Sequence, residues 1–446
     1  MRIVIIGAGE VGYHLASLLA YEAKDIYIID QDEDRLNYVS SHIDVFPIKG
    51  DAKSVEVLEE AQVKGCDLLI AVTSSEDVNL LVSIMGKKFG AKKTIARVTS
   101  NNLTDPSRIA MFKELGVDDI ISPSQEAAEE IIRLIRHSAF TDEFDFEGGK
   151  LIAFGIQICE FSQLINKSVK ESTSLNPNKT FKPILLHRKE ETQIISGETV
   201  IMEGDIVYFV ANKGCIKEII KLAGKEEFVI QDIMIMGGSD IGVLTAQKLE
   251  NDFNIILVEK DKKRCLEIAK ILRKTLVVNL DGSDVEALKE EGLNDMDAFI
   301  SVTGDSELNI LSSLVAKNNG VKKTISRVEN YNYIHLSHNI GLDALINKKI
   351  LAASSIFKYT RRGGVEAIAT LQGLDAEIIE FVVNANSKAT KKTIRELRFP
   401  EGANIAGVIR GNDGFIPFGD FMLKEEDKVV IFTLIESLPI VEEFFQ

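Results

Sequence analysis

The 446-residue chain is 45% hydrophobic and carries 68 acidic against 52 basic side chains, for a net charge of −16. That apolar content is ample for several buried cores and excludes a disordered chain, while the acidic balance disfavours adhesion to nucleic acid or anionic lipid through overall charge. No apolar run approaches the roughly 20 residues that a membrane-spanning helix needs, so no direct membrane insertion is expected and a membrane role would go through a protein partner.

Taken in chain order, Met1-Arg2-Ile3-Val4-Ile5-Ile6 runs directly into a glycine turn, which reads as an opening strand without a secretion signal. Further strands are expected at about Asp25–Asp30, Val45–Ile48, Leu68–Val72, Thr94–Val98 and Asp119–Ile121, alternating with helical patterns such as Val11–Leu19. From about Lys150 to Ala223 the runs shorten and alternate, as in Lys150–Ile158 and Asp205–Val210, with a loop at Asn176-Pro-Asn-Lys179. The whole plan then repeats. Strands are expected at about Asp232–Met236, Asn254–Glu259, Thr275–Val278, Ala298–Val302, Thr324–Val328 and Ala344–Ile346, and shorter runs return at Ala376–Val383 and Lys428–Phe432.

Three segments carry the repeat at one constant offset: Ile6-Gly-Ala-Gly-Glu-Val-Gly12 returns as Met236-Gly-Gly-Ser-Asp-Ile-Gly242, Ala71–Asn79 as Ser301–Asn309, and Lys92-Lys-Thr-Ile-Ala-Arg-Val98 as Lys322-Lys-Thr-Ile-Ser-Arg-Val328. The fold class expected is α/β: two doubly wound, parallel-sheet Rossmann-like domains, each followed by a small α+β domain. The corresponding domains are residues 1–140, 141–225, 226–365 and 366–446.

Gly7-x-Gly9-x-x-Gly12 follows a strand and opens a helix, and the next strand ends on Asp30, near the about 20-residue spacing of a dinucleotide site. Gly7 permits the tight turn, Gly9 lets a pyrophosphate approach the backbone, and Gly12 lets helix and strand pack closely. The phosphate then meets the N–H groups of Ala8, Glu10 and Val11 near the helix start. Asp30 can accept from both ribose hydroxyls and would repel a 2′-phosphate, which favours NAD or NADH over the phosphorylated cofactor. Asp51 follows the third strand, Thr73 and Ser74 end the fourth and Arg97 lies within the fifth, so all four border the same crevice. Asp51 and Thr73 are expected beside the adenine and ribose, and Arg97 offers its fork of donors to phosphate; Asp51 is equally open to a capping or solvated role, whereas Thr73 and Arg97 are favoured as site residues because both recur in the second half. In the second half Gly237, Gly238, Ser239, Asp240 and Ile241 form the turn, with Glu259, Asp281, Thr303 and Arg327 in the matching places. There Ser239 puts a Cβ and hydroxyl where Gly9 stood, and Glu259 is longer than Asp30, so this site reads as either a second nucleotide site or a degenerate copy.

With these motifs and their repeats in place, the chain resembles the Trk potassium-uptake regulatory family, TrkA, in which two tandem RCK/KTN domains are each followed by a TrkA C-terminal domain. The resemblance covers essentially the whole chain. It implies a non-enzymatic, NAD(H)-binding subunit, with ATP and ADP as further ligands. It also implies a homo-oligomeric ring of four subunits on the inner face of the cell membrane, docked beneath a TrkH- or TrkG-like potassium-translocating protein. In RCK-like proteins the helices matching Ile131–Arg136 and Ile350–Tyr359 build dimer contacts; each is equally open to covering its own sheet.

Rival readings are weaker. An NAD-dependent oxidoreductase lacks a substrate domain with an acid/base group, His187 being the one histidine of the small units. A DNA-binding regulator lacks a basic helix-turn-helix, and Lys87-Lys88, Lys92-Lys93 and Arg361-Arg362 read as solvated or interface charges. A regulator of another potassium channel or an efflux system fits the duplicated domain set less well. His14, His42, His137, His187, His335 and His338 read as surface or capping residues, with no metal site. Cys66, Cys159, Cys215 and Cys265 lack a C-x-x-C spacing and read as packing residues.

Overall fold

The computed structural model describes residues 1–20, 25–136, 140–189, 191–225, 228–330, 333, 341–357, 365–371, 374–384, 387–397 and 399–445. His137, His335, His338, Tyr359, Arg361 and Arg362 lie outside the described residues. The chain divides into two compact units: Met1–Glu130 with Gly238–Lys248 and Ile346–Arg361, and Ile131–Gly237 with Leu249–Leu345 and Arg362–Gln446. No helix among the described residues is long and apolar enough to cross a membrane.

The first sheet is built from β1 (Arg2–Ile6), β2 (Asp25–Asp30), β3 (Phe46–Lys49), β4 (Leu68–Ala71), β5 (Lys93–Arg97) and β6 (Asp119–Ile121), in the order β3-β2-β1-β4-β5-β6. Every pairing is parallel. The helices α1 (Glu10–Leu19), α2 (Glu33–His42), α3 (Val55–Glu60), α4 (Glu76–Phe89), α5 (Pro106–Leu115) and α6 (Pro123–Arg136) connect the strands and follow the last. Ile3 to Ile6 and Leu68 to Ala71 are all buried, as central strands covered on both faces must be. Each such valine, leucine or isoleucine side chain contributes about 1.5–3 kcal/mol through burial. Local chemistry sets the ends: Asp32 caps α2 through the N–H groups of Asp34 and Arg35, Ser75 caps α4 through Val78, and Gly90 ends α4 with φ 103°.

The order reverses between β1 and β4, so a crevice opens above their carboxyl ends. The observed strands of this sheet agree with the sequence expectation to within one residue at each end. The basic groups also make ion pairs: Lys87 with Asp118 (2.7 Å), Lys92 with Asp67 (2.7 Å) and Lys93 with Asp119 (2.9 Å). Lys92 stays largely solvated as expected, while the pairs tie helix and strand ends together.

The second parallel sheet repeats the order, with β14 (Asp232–Met236), β15 (Asn254–Glu259), β16 (Leu276–Asn279), β17 (Ala298–Ser301), β18 (Lys323–Arg327) and β19 (Ala344–Ile346) arranged β16-β15-β14-β17-β18-β19. Between the parallel sheets in sequence lies a five-stranded sheet, β11-β10-β13-β8-β7, made of β7 (Asp142–Phe146), β8 (Leu151–Gln157), β10 (Phe181–Arg188), β11 (Glu191–Ile194) and β13 (Ile206–Ala211). A two-stranded ribbon, β9 (Lys167–Ser168) with β12 (Val200–Ile201), and a helix, α7 (Ile216–Leu222), complete that region. A second five-stranded sheet has the same connectivity in β20 (Val365–Thr370), β21 (Ala376–Val382), β24 (Lys428–Leu434), β22 (Ala403–Arg410) and β23 (Asp413–Phe415).

Each small sheet holds one carboxylate in the same way. Arg188 donates to both oxygens of Asp205 (2.7 Å each) and also to the Val200 carbonyl; Arg410 donates to both oxygens of Asp427 (2.7 Å each) and to the Met422 carbonyl. The Met202 and Lys424 N–H groups complete the two cages. Asp205 and Asp427 are buried, so removing the charge strands an arginine. Asp205→Asn and Asp427→Asn are each expected to lower the unfolding free energy by about 2–4 kcal/mol, read from urea denaturation; a loss below about 1 kcal/mol would show that the cages are dispensable.

Candidate nucleotide crevice

At the carboxyl end of β1 the chain turns at Gly7, whose φ is 108°, and enters α1 through Gly9. A Cβ on Gly7 would lie 3.0 Å from the Thr73 nitrogen, and one on Gly12 would lie 1.9 Å from the Gly7 carbonyl oxygen. Both glycines are therefore demanded by packing and backbone. Gly9 differs: its φ and ψ are −72° and −175°, which any residue adopts, and a Cβ there would meet no atom within 4 Å. The space in front of it is the crevice. Having no side chain, Gly9 also leaves the first N–H groups of α1 uncapped by its own residue, and these face an anion with the helix dipole behind them.

The crevice has a volume of about 470 Å³, within the range of ligand pockets, and Gly7, Gly9, Glu10, Val11, Asp30, Asp51, Thr73, Ser74 and Arg97 all line it. Ala8 is buried and donates its N–H to the Asp30 carboxylate at 2.6 Å; the second Asp30 oxygen accepts from the Asp32 N–H at 3.0 Å. Asp30 thus braces the glycine turn as well as facing the cavity. Asp51 closes a short turn by accepting from the Lys53 N–H (3.0 Å) and pairs with the Lys53 ammonium (3.3 Å), contacts that hold its carboxyl below the ordinary value.

Thr73 is committed to structure. Its hydroxyl donates to Asn79 Oδ1 (2.7 Å), and the Asn79 amide donates to the Thr73 and Arg97 carbonyls (3.0 and 2.8 Å), tying the ends of β4 and β5 together. Thr303 and Asn309 repeat this clamp, with Asn309 donating to the Arg327 carbonyl at 2.9 Å. The polar pair escaped the sequence reading because Asn79 looked like an ordinary helix residue; its recurrence as Asn309 was the available signal. Beside it, Glu76 accepts from the Thr99 N–H and hydroxyl and from the Ser100 N–H (2.8, 2.9 and 2.8 Å), and pairs with the Ser100 hydroxyl. Burial alone would raise its pKa, but these donors outweigh it and hold the carboxyl at about 2.

Arg35, Lys53 and Lys349 also line the crevice. Lys349 is the unexpected one, because it belongs to α12 (Lys348–Phe357), hundreds of residues away in sequence and packed against α1. It pairs with Glu10 on the first turn of α1.

The second copy is built differently. Gly237 keeps the turn, with φ 114°, and a Cβ there would lie 2.9 Å from the Thr303 nitrogen. Ser239, however, caps the following helix α8 (Asp240–Leu249) by accepting the Gly242 N–H at 3.4 Å, a bond that Gly9, having no side chain, does not make in the first copy. Gly238 precedes it in the turn, and Asp240 and Ile241 open α8. Glu259 accepts from the Asp261 N–H at 2.8 Å, and Asp281 from the Ser283 N–H and hydroxyl at 3.0 and 2.8 Å. Arg327 pairs with Glu329 and donates to the Thr303 carbonyl at 3.2 Å. The guanidinium expected to face phosphate is engaged within its own sheet.

The bland residues also differ in part from expectation. His187 is buried, with Nδ1 3.0 Å from the Thr192 hydroxyl, whereas His42 is exposed and His14 half-buried. Cys66 and Cys265 are buried, and burial pushes the Cys66 thiol up to about 12; Cys159 and Cys215 are only half-buried.

Gly12→Ala is expected to lower the melting temperature of the empty protein by several degrees, because backbone must move, whereas Gly9→Ala leaves it unchanged; equal effects would contradict the assigned roles. For Glu76 the folded pKa is depressed, so its contribution is present above the ordinary value of 4.5 and disappears as pH falls toward about 2. Glu76→Gln should flatten that part of the stability–pH curve, measured by denaturation across pH 5 to 2.

The TrkA-N domain model matches residues 3–123 and 233–348, and the TrkA-C domain model matches residues 378–446. The chain is 32% identical over 455 residues to Trk system potassium uptake protein TrkA homolog 1 of Methanosarcina mazei, covering 100% of both chains. It is 33% identical over 447 residues to the TrkA homolog of Archaeoglobus fulgidus, again covering 100% of both. Among solved structures, the GsuK channel bound to NAD shares the fold with a TM-score of 0.60 at 16% identity, over 100% of this chain and 78% of that one. The duplicated parallel sheets, the glycine turn and these full-length matches agree: the chain belongs to the TrkA family of Trk potassium-uptake proteins.

Proposed function

We propose that the chain is a regulatory, non-catalytic subunit that binds NAD or NADH in the first crevice and transmits occupancy to a membrane potassium-uptake protein of the TrkH or TrkG kind. The carrying observation is the pairing of an uncapped α1 N-terminus at Gly9 with Asp30, which is fixed against the Ala8 N–H at the place a ribose diol would take. The TrkA naming of full-length relatives supports the uptake partner. A TrkA-N domain over the site and NAD in the GsuK channel support the ligand, with ATP and ADP as competitors for the same phosphate contacts. The organisation we propose is residues 1–140, 141–225, 226–365 and 366–446 as four domains, four chains forming a ring on the cytoplasmic face of the membrane. The second crevice, with Ser239 capping its helix and Arg327 held by Glu329, is the weaker or differently selective site.

Lys349 supplies a route for the signal. It pairs with Glu10, so the α12 helix is tied to the first turn of α1. A phosphate at that helix end competes with Glu10 for the ammonium, and the ligand then favours whichever placement of α12 gives the better phosphate contact. Coupling of this kind is limited to the difference in affinity between the two placements.

Calorimetric titration with NADH, NAD, ATP and ADP tests the reading. Gly9→Leu fills the crevice without disturbing a packed contact and is expected to weaken NADH binding at least about tenfold, equal to about 1.4 kcal/mol, with an unchanged melting temperature. Lys349→Gln should weaken binding several-fold, and Glu10→Gln should strengthen it. Absence of heat with all four nucleotides would refute nucleotide sensing in this chain.

A further inference from the structure

The two five-stranded sheets share one core that includes Leu151, Leu185, Tyr208, Ala376 and Phe432. Their ladders make the copies comparable residue by residue. In the first, Lys182 stands opposite Val210 and Leu185 opposite Tyr208; in the second, Asn404 stands opposite Phe432 and Gly407 opposite Val430. A bulge between Pro183 and Leu185 is matched by one between Ile405 and Gly407. Lys182 therefore corresponds to Asn404, and Leu185 to Gly407. From the pairings Gly155 with Tyr208 and Glu380 with Val430, Leu151 corresponds to Ala376.

These corresponding residues differ in complementary ways where the sheets meet. Lys182 Nζ donates to Asn404 Oδ1 at 2.8 Å and to the Ile405 carbonyl at 3.0 Å. Equivalent positions that touch one another lie beside a local two-fold axis, as in an isologous dimer. Leu151 fills the space over Gly407, where a Cβ would come within 2.6 Å of its Cδ1. Under the same two-fold relation, Leu185 faces the smaller Ala376. Two first-type sheets placed together would set two Lys182 ammoniums side by side and put Leu185 where Gly407 leaves room for Leu151. Two second-type sheets would set Asn404 against itself and leave a void between Ala376 and Gly407.

We propose that these two faces are heterospecific: each small sheet recognises the other kind through the Lys182–Asn404 and Leu151–Gly407 pairs and rejects its own kind. Duplication has thereby turned a self-complementary surface into a matched pair. The small sheets of one chain are committed to each other and withheld from like sheets of neighbouring chains, so assembly into larger rings uses other surfaces. Burial holds the Lys182 ammonium down to about 8, so the charge discrimination operates at neutral pH and fades in alkali.

The test uses the full chain, with thermal midpoints and mass by light scattering as readouts. Asn404→Lys and Gly407→Leu each recreate a first-with-first contact and are expected to lower the midpoint by about 5 °C or more. The exchange Lys182→Asn with Asn404→Lys should recover most of the first loss with wild-type mass, and Gly407→Leu with Leu151→Ala most of the second. The Asn404→Lys loss should shrink above pH 8. An exchange pair no more stable than its single variant, or single variants as stable as wild type, would overturn heterospecific pairing. The compensated variants keep the test decisive even if the single substitutions fail to fold.

Discussion

The contact on which the first site depends is the one between Gly12 and the Gly7 carbonyl, where α1 starts so close to β1 that no side chain fits. That closeness brings the first turn of the helix to the point where the sheet order reverses and aims its N–H groups into the crevice. Asp30 then does two things with one carboxylate: it accepts the Ala8 N–H, which fixes the turn, and it faces the cavity. The Thr73–Asn79 clamp holds the opposite wall by joining the ends of β4 and β5. A crevice braced this way by backbone and buried polar contacts needs little ordering to receive a ligand, which limits the entropy cost of binding.

Duplication lets the chain keep that architecture twice while altering the chemistry of one copy. The clamp recurs at Thr303 and Asn309, and the left-handed glycine recurs at Gly237, because both hold the fold. What changes is the layer that would touch ligand: Ser239 takes a helix N–H, and Arg327 turns to Glu329. The small sheets diverge by the same logic. They keep the buried arginine–aspartate cages at Arg188 and Arg410 and differ at the faces that meet, where Lys182 opposes Asn404 and Leu151 opposes Gly407.

Much of this was legible in the residues alone. Strands such as Ile3–Ile6 announce themselves because a parallel strand buried on both faces must be continuously apolar, and the roles of Gly7 and Gly12 follow from backbone sterics. Less legible were the positions whose meaning depends on distant partners. Thr73 looked like a ribose contact because it ends a strand at the crevice, yet its hydroxyl belongs to Asn79. Lys349 carried no motif, and only the packing of α12 on α1 brings it to Glu10. The ion pairs of Lys87, Lys92 and Lys93 were not legible because their carboxylate partners come from other turns of the chain. Local pattern reports backbone demands well and side-chain commitments poorly, since the latter are decided by neighbours that sequence order conceals.

The proposed regulation requires that ligand occupy the helix N-terminus at Gly9 and disengage Lys349 from Glu10. Amide hydrogen exchange of the full chain with and without saturating NADH tests both parts at once. Slower exchange is expected across residues 7–12 together with a change in residues 348–357. Unchanged exchange in the glycine turn would contradict the site, and protection of the turn with residues 348–357 unaffected would contradict the latch.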